Sequence, residues 1–487
     1  MKKIIALIIL MFVFVSCGEA ATEGAAATET TADSVTAAEE TTERYILPDA
    51  DFNGEEVVFI VKDEGGGYWD ERDFYAEIEN GEPFNDAVFT RNRKVEERYN
   101  VNIKEIRTRD VYSDSRKQML AGSVDFDVIA THMQNSASLA QQGFLLDLYQ
   151  VPNLQLDREW WDQIHNESMT MYDKLFFSLG DINTVDNDAT WVVLFNKDIS
   201  ENYNMADHYD LVNDKKWTLD VLYSNCLNIT SDLNGDGVLT PEDQWGAVNQ
   251  YECAYALAAS AGIKSVKITS DNSFELDINT PFAVTVMEKI YAFMTDKNAQ
   301  IKADDPAFSG KYSDIWTEIN VNSFLENRAL YYISPMCTVP YFRGMEQNFG
   351  LVPLPMYAEN QDSYHSPLQY NNATTISFPV ASRDIEKTSL IVEMMAAESA
   401  DTVTKAYYDT NLKTKLTRDD ESGAMLDLIF AERLYDIGLA FNWNNIQGFY
   451  QDVVRSASFN FVSLYETKAE KTISEMQKTI DLFAEIG

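Results

Sequence analysis

Apolar positions follow two rhythms along this chain, and their alternation predicts its elements. Val57 to Val61 is an unbroken apolar run of strand length, followed by a Gly-rich, aromatic loop from Gly65 to Trp69. From Asn85, a potential helix cap, Val88, Val95 and Tyr99 recur at helical spacing. Val101 to Ile106 alternates as a half-buried strand does, Ser115 to Ala121 reads as helix, and Phe126 to Ala130 as a buried strand. Strand, helix, strand, helix, strand with short links predicts an α/β layer whose sheet is largely parallel. Such sheets bind ligands beyond the carboxyl ends of their strands, the edge where the 65–69 loop should stand.

The same reading places strands at Lys174–Leu179, Val192–Phe195 and Ala329–Ile333, and extended segments at Leu351–Pro355 and Thr375–Phe378. It places a helix from Thr218, with Asp220 in its first turn, and further helices at 253–262 and 281–295. The tail reads as mostly helical, over 386–399, 401–409, 422–436 and 463–485. No internal repeat is visible.

The N-terminus departs from these rhythms. Lys2 and Lys3 precede an apolar run, Ile4 to Val15, and then Ser16-Cys17-Gly18. That is an export signal, shorter than the about 20 apolar residues of a membrane-spanning helix. The cysteine makes 1–17 resemble a bacterial lipoprotein signal with Cys17 as the lipidated residue, although Phe14 stands where such signals usually carry Leu. An ordinary signal with an incidental cysteine is the plainer alternative. Residues 18–44 are almost all Ala, Thr and Glu, a composition that buries too little to order itself and reads as a spacer. The folded body begins near Tyr45. The expectation is a chain held on the outer face of the cell membrane by a lipid anchor.

Composition then narrows the partners. The 487 residues carry 38 basic and 78 acidic side chains, a net charge of −40, which argues against nucleic acid and disfavours anionic ligands. Neutral sugars, cationic peptides or metal ions fit better, and much of the charge serves solubility. Besides Cys17 there are three distant cysteines, Cys226, Cys253 and Cys337, so no disulfide framework is expected. Four histidines and no HExxH motif give a zinc site no support.

The sharpest motif is Asp232-Leu-Asn-Gly-Asp-Gly-Val-Leu-Thr-Pro-Glu-Asp243. Its oxygens at alternate positions fit a twelve-residue calcium loop, with Asp232, Asn234, Asp236, the Val238 carbonyl, Thr240 and Asp243 as ligands. Asp243 stands where such loops carry Glu, and the loop is single, so a structural Ca2+ is expected rather than a sensor. An ion-free Asx-rich turn is the alternative. A second constellation is aromatic. Tyr68, Trp69, Trp160, Trp161, Tyr251, Tyr332 and Tyr370, with Asp181 and Asn371 beside them, offer ring faces for sugar C–H groups and polar groups for hydroxyls. Aromatics serve the core more often than a ligand, and Trp69 and the Trp160-Trp161 pair are the stronger candidates. Asp181, Asp186 and Asp188 admit a glycosidase reading, though close carboxylates are expected by chance in so acidic a chain.

Several stretches in order, Asn85–Tyr99, Phe126-Asp127-Val128, Gln142–Leu148, Phe195-Asn196-Lys197, Trp217-Thr218, 232–246 and Leu351–Pro355, give the chain a resemblance to a family. It resembles the extracellular solute-binding lipoproteins of bacterial ABC importers, of the large carbohydrate-binding type. The resemblance implies an α/β, two-lobe periplasmic-binding-protein-like fold with a helical C-terminal extension. The lobes would be 45–184 with 332–378, and 185–331 with 379–487. Crossings would lie near Asp181–Ala189, Tyr331–Pro335 and Asn372–Pro379. It implies a monomeric receptor, not an enzyme, that closes on a sugar or oligosaccharide and delivers it to ABC permease membrane subunits. A peptide-binding import receptor and a secreted glycan-degrading enzyme are the competing readings.

Overall fold

The computed structural model describes residues 47–67, 69–269, 273–413 and 420–486. The expected signal 1–17, spacer 18–44, Cys17 and Tyr68 lie outside the described residues.

Two sheets carry the architecture. In the first, Glu55–Lys62 lies between Val101–Thr108 and Val128–His132, parallel to both, and Thr374–Ser377 adds antiparallel to Val128–His132. In the second, the order is Phe349–Val352, Trp191–Asn196, Ala329–Pro335, Trp245–Asn249, Gln300–Lys302. Its last three strands are mutually parallel and its first two pairings antiparallel. Trp191–Asn196 and Ala329–Pro335 are buried along their whole length, as strands covered on both faces must be.

Helix starts follow local chemistry. The helix Pro83–Tyr99 is capped by Glu82, whose side chain accepts from the Asn85 N–H, with Pro83 in its first turn; the predicted cap, Asn85, lies inside. Asp110 caps Val111–Leu120, and Thr218 caps Leu219–Leu227 as expected. The segment 174–180 is extended but joins the first sheet only through the single bridge Ser178 to Ile376.

Sheet membership divides the body differently from the sequence expectation. Ala329–Pro335 and Phe349–Val352 are both strands of the second sheet, so 332–352 does not belong with the first, and Tyr331–Pro335 is strand rather than crossing. The chain passes from the first sheet to the second through 181–190 and returns through 353–373. Ile385–Asp401 packs against Pro83–Tyr99 beside the first sheet, whereas 379–487 was expected with the second. Later helices tie the two together. Ile446–Arg455 packs on Cys253–Ser260, while Phe483 of the final helix, Phe461–Glu485, meets Phe176 at a tilt with ring centroids 4.4 Å apart. Among the described residues no helix is long and apolar enough to cross a membrane. Cys226, Cys253 and Cys337 are buried and unpaired.

Candidate functional site

The parallel strands of both sheets end toward one region. From the first sheet come the loop 63–72 after Glu55–Lys62 and the helix Met133–Ala140 after Val128–His132. From the second come 250–252 after Trp245–Asn249, 303–305 after Gln300–Lys302, and 336–342 after Ala329–Pro335. The crossings 181–190 and 353–373 run between them.

A network of side-chain amides around one carboxylate spans this region. Glu252 accepts from Gln250 Nε2 at 2.9 Å, Gln369 Nε2 at 2.6 Å and Gln447 Nε2 at 2.5 Å. Gln447 in turn accepts from Gln134 Nε2 at 2.7 Å. The second lobe, the return crossing and a C-terminal helix thus meet on one acid, and the first lobe joins through Gln134 and Gln447. Burial pushes Glu252 up to about 7, against the opposing effect of the Gln369, Gln447 and Gln250 amides. Gln369 Oε1 and Asn371 Oδ1 are buried with no hydrogen-bond partner among the described residues. Buried acceptors of that kind suit a ligand that brings its own O–H groups.

Tyr251, the residue before Glu252, has Lys302 Nζ 5.1 Å and the Arg455 guanidinium 4.5 Å from its ring centre. Its N–H donates to Asp304 at 2.9 Å, and Asp304 lies 3.6 Å from Arg455. Burial lowers Lys302 to about 8 despite the Asp305 and Asp304 carboxylates, which act the other way. At the outgoing crossing Asp188 accepts from Arg72 Nη2 at 2.8 Å and from the Tyr407 hydroxyl at 2.7 Å. The loop 63–72 is shaped by Asp70, which accepts from the Glu64 and Gly66 N–H groups and pairs with Arg107 at 3.0 Å. Trp69 sits half-buried on it, its N–H donating to Glu64.

A cavity of about 260 Å3 lies at the outgoing crossing, lined by Trp160, Trp161, Asp181, Asn183, Asp186 and Arg433 among others. It brings three predicted residues together, but in changed roles. Trp160 and Trp161 are 1% and 2% exposed, and each indole N–H donates to Glu393 at 2.9 Å. Their polar edges are therefore occupied and they act as core anchors with part of a wall. Asp181 accepts from the Thr404 hydroxyl at 3.0 Å. Asp186 pairs with Arg433 at 2.8 Å; burial raises it to about 6 although Arg433 pulls the other way. Asp181, Asp186 and Asp188 each have a separate partner, and Asp186 Oδ1 is buried without one among the described residues.

The remaining predicted residues divide clearly. Tyr251 adjoins Glu252 but is itself only 7% exposed, its ring flanked by Lys302 and Arg455, and Asn371 lies two residues from Gln369. Tyr332 and Tyr370 are buried: Tyr332 packs in a cluster with Phe324 and Phe342, and the Tyr370 hydroxyl accepts from the Asp436 N–H at 2.8 Å. Neither offers a free face to a ligand. Gln134, Glu252, Gln369, Gln447 and Arg455 were missed. The available signal was position, since Glu252 follows a buried strand of the parallel part of the second sheet.

In the loop 232–243, Asx turns set the backbone. Asp232 accepts from the Gly235 and Gly237 N–H groups, Asn234 from Asp236 and Asp236 from Val238, all at 2.7–2.8 Å. Gly235 and Gly237 hold positive φ of 75° and 81°, which glycine adopts without strain. Asp243 is buried, which alone would raise its pKa, but N–H groups of Leu233 and Thr240 hold it lowered. The donor set is all oxygen, which suits a hard cation. Among the described residues no three His, Cys, Asp or Glu side chains converge as a metal-binding group.

No protein-family model matches the chain, and no curated protein matches it by sequence. Solved structures do. An ABC substrate-binding protein from Listeria monocytogenes in complex with cycloalternan aligns with a TM-score of 0.54 at 13% identity, over 86% of this chain and 99% of that one. A cyclo/maltodextrin-binding protein complexed with maltotetraose aligns with a TM-score of 0.57 at 12% identity, over 87% and 97%. The maltose/maltodextrin-binding domain MalE from Bdellovibrio bacteriovorus, bound to maltotriose, aligns with a TM-score of 0.52 at 14% identity, over 88% and 99%. The likeness shows the fold: two α/β lobes of the periplasmic-binding-protein type, spanning nearly the whole body. These neighbours are binding proteins rather than enzymes.

Proposed function

We propose that this chain is the substrate-binding receptor of an ABC importer, taking a sugar or oligosaccharide between its lobes and presenting it to permease subunits. The observation that carries the reading is the site where both sheets' strand ends meet. It holds buried, unpartnered acceptors on Gln369 and Asn371 beside the amides gathered on Glu252, and the half-buried Trp69 stands on the loop that follows the first strand. Sugar hydroxyls both donate and accept, so a mixed acceptor and amide surface suits them, and ring faces suit their C–H groups. The fold shared with proteins solved in complex with maltooligosaccharides and cycloalternan supports the same choice. Arg72, Lys302 and Arg455 at this edge weigh against a cationic peptide. A ligand would act by contacts available only when the lobes are closed.

The test is a thermal-shift and calorimetric screen of the whole chain against mono- and oligosaccharides. Saturable binding without release of reducing ends is expected, and Gln369→Leu should weaken it at least tenfold. No binding by any sugar, or steady hydrolysis, would overturn the reading.

The finer setting belongs to the same proposal. Lipid attachment at Cys17 would hold the receptor on the outer membrane face, with 18–44 as its tether. A calcium ion would be held by Asp232, Asn234, Asp236, the Val238 carbonyl, Thr240 and Asp243, and would serve only to tie that loop.

A further inference from the structure

A cavity of about 800 Å3 lies away from the strand ends. It lies beside the opposite end of the 174–180 segment from the crossing, where the Leu148 N–H donates to the Leu175 carbonyl at 2.6 Å. Its walls are part aliphatic, from Leu148, Leu154, Leu156 and Ile268 of the hairpin that follows Cys253–Ser260, and part polar, from Gln163, Asn166 and Thr170. Tyr149 exposes 45% of its surface there, its hydroxyl fixed by Thr170 Oγ1 at 2.8 Å.

The rim is what sets its chemistry. Asp157, Glu167 and Asp173 are all exposed on it, and none has an ion-pair or hydrogen-bond partner among the described residues. No lysine or arginine lines the cavity. Neighbouring acids outside it are neutralised, Asp162 by Arg433 and Tyr435, Asp186 by Arg433. Uncompensated carboxylates around partly aliphatic walls and one ring face complement a ligand that alternates ammonium groups with methylene segments. We propose that this cavity is a second binding site, separate from the sugar cleft, for a small organic polycation of the polyamine class. The ammonium groups meet the three carboxylates, the methylenes lie on the leucines and Ile268, and the Tyr149 face takes one charge.

Calorimetric titration of the whole chain with spermidine at about 0.15 M salt tests this. One saturable site is expected, and each carboxylate removed should weaken it by up to about fivefold. The double variant Asp157→Asn with Glu167→Gln should therefore show a large loss and Tyr149→Ala a smaller one. Glu288→Gln with Glu470→Gln, exposed acids elsewhere, is the control for diffuse attraction to a chain of net charge −40. Equal loss in control and cavity variants, no saturable binding, or displacement of spermidine by an equal concentration of Ca2+ would each overturn the proposal. Sugar binding unchanged in the cavity variants would support its separateness, and its loss there would overturn it.

Discussion

Single side chains show how this fold handles polar groups that it cannot leave in water. Glu393 is fully buried, yet its two oxygens accept both indole N–H groups of Trp160 and Trp161 and the Gln155 N–H at 3.1 Å. Replacing it strands two buried donors, each costing about 1–3 kcal/mol, so Glu393→Ala should lose roughly 2–6 kcal/mol by urea unfolding. A loss below about 1 kcal/mol would show the indoles to be held otherwise. Glu252 gives a pH signature. Its ordinary value of 4.5 rises to about 7 in the folded chain, so between those values the unfolded chain has released a proton that the folded one keeps. Stability from this group is greatest below about pH 4.5, falls as pH rises to about 7, and is flat above. Glu252→Gln should remove that component, visible as a difference in the pH slopes of melting temperature between the two proteins. Parallel slopes would sink it. The sequence offers aromatic residues as a type without telling which of them face a cleft. Tyr332 and Tyr251 carry the same side chain, and only packing distinguishes a core ring from one between Lys302 and Arg455.

At the scale of elements, local codes were legible where the chain itself supplies the partners. Thr218 caps its helix because its own hydroxyl reaches the Val221 N–H, and the apolar runs of Trp191–Asn196 and Ala329–Pro335 became buried strands. The Asx turns of 232–243 are local in the same sense. If that loop holds calcium, a chelator should lower the melting temperature of the wild type, and Asp236→Ala should abolish the difference. An unchanged wild-type curve would refute the metal. Elements whose ends depend on distant partners were less legible. The 174–180 segment has strand composition but only one bridge to the first sheet. The amphipathic helix Ile446–Arg455, which packs on Cys253–Ser260, was not anticipated at all.

For the whole molecule, the C-terminal helices decide how the lobes behave together. Phe461–Glu485 reaches back to the first lobe through Phe176 and through Thr479, which accepts from Gln141 at 2.8 Å, while Ile446–Arg455 holds the second. From Leu47 onward the chain forms one compact unit in consequence. Calorimetry should therefore show a single unfolding transition, and deleting 461–487 should lower its midpoint by more than 5 °C and split or broaden it. A wild type that melts in two resolved steps would contradict this coupling.

Strand and helix periods, turn chemistry and a strong negative charge are written into neighbouring residues, so the chain alone determined its α/β class, most of its elements and the calcium-loop pattern. Which strand joins which sheet, and hence where the lobes divide, depends on hydrogen bonds between residues more than a hundred positions apart, such as Trp191 with Pro335. The site lies beyond sequence reading for the same reason. Gln134, Glu252, Gln369 and Gln447 are ordinary polar residues in the linear chain, and their joining into one network exists only after both sheets and the C-terminal helices have packed.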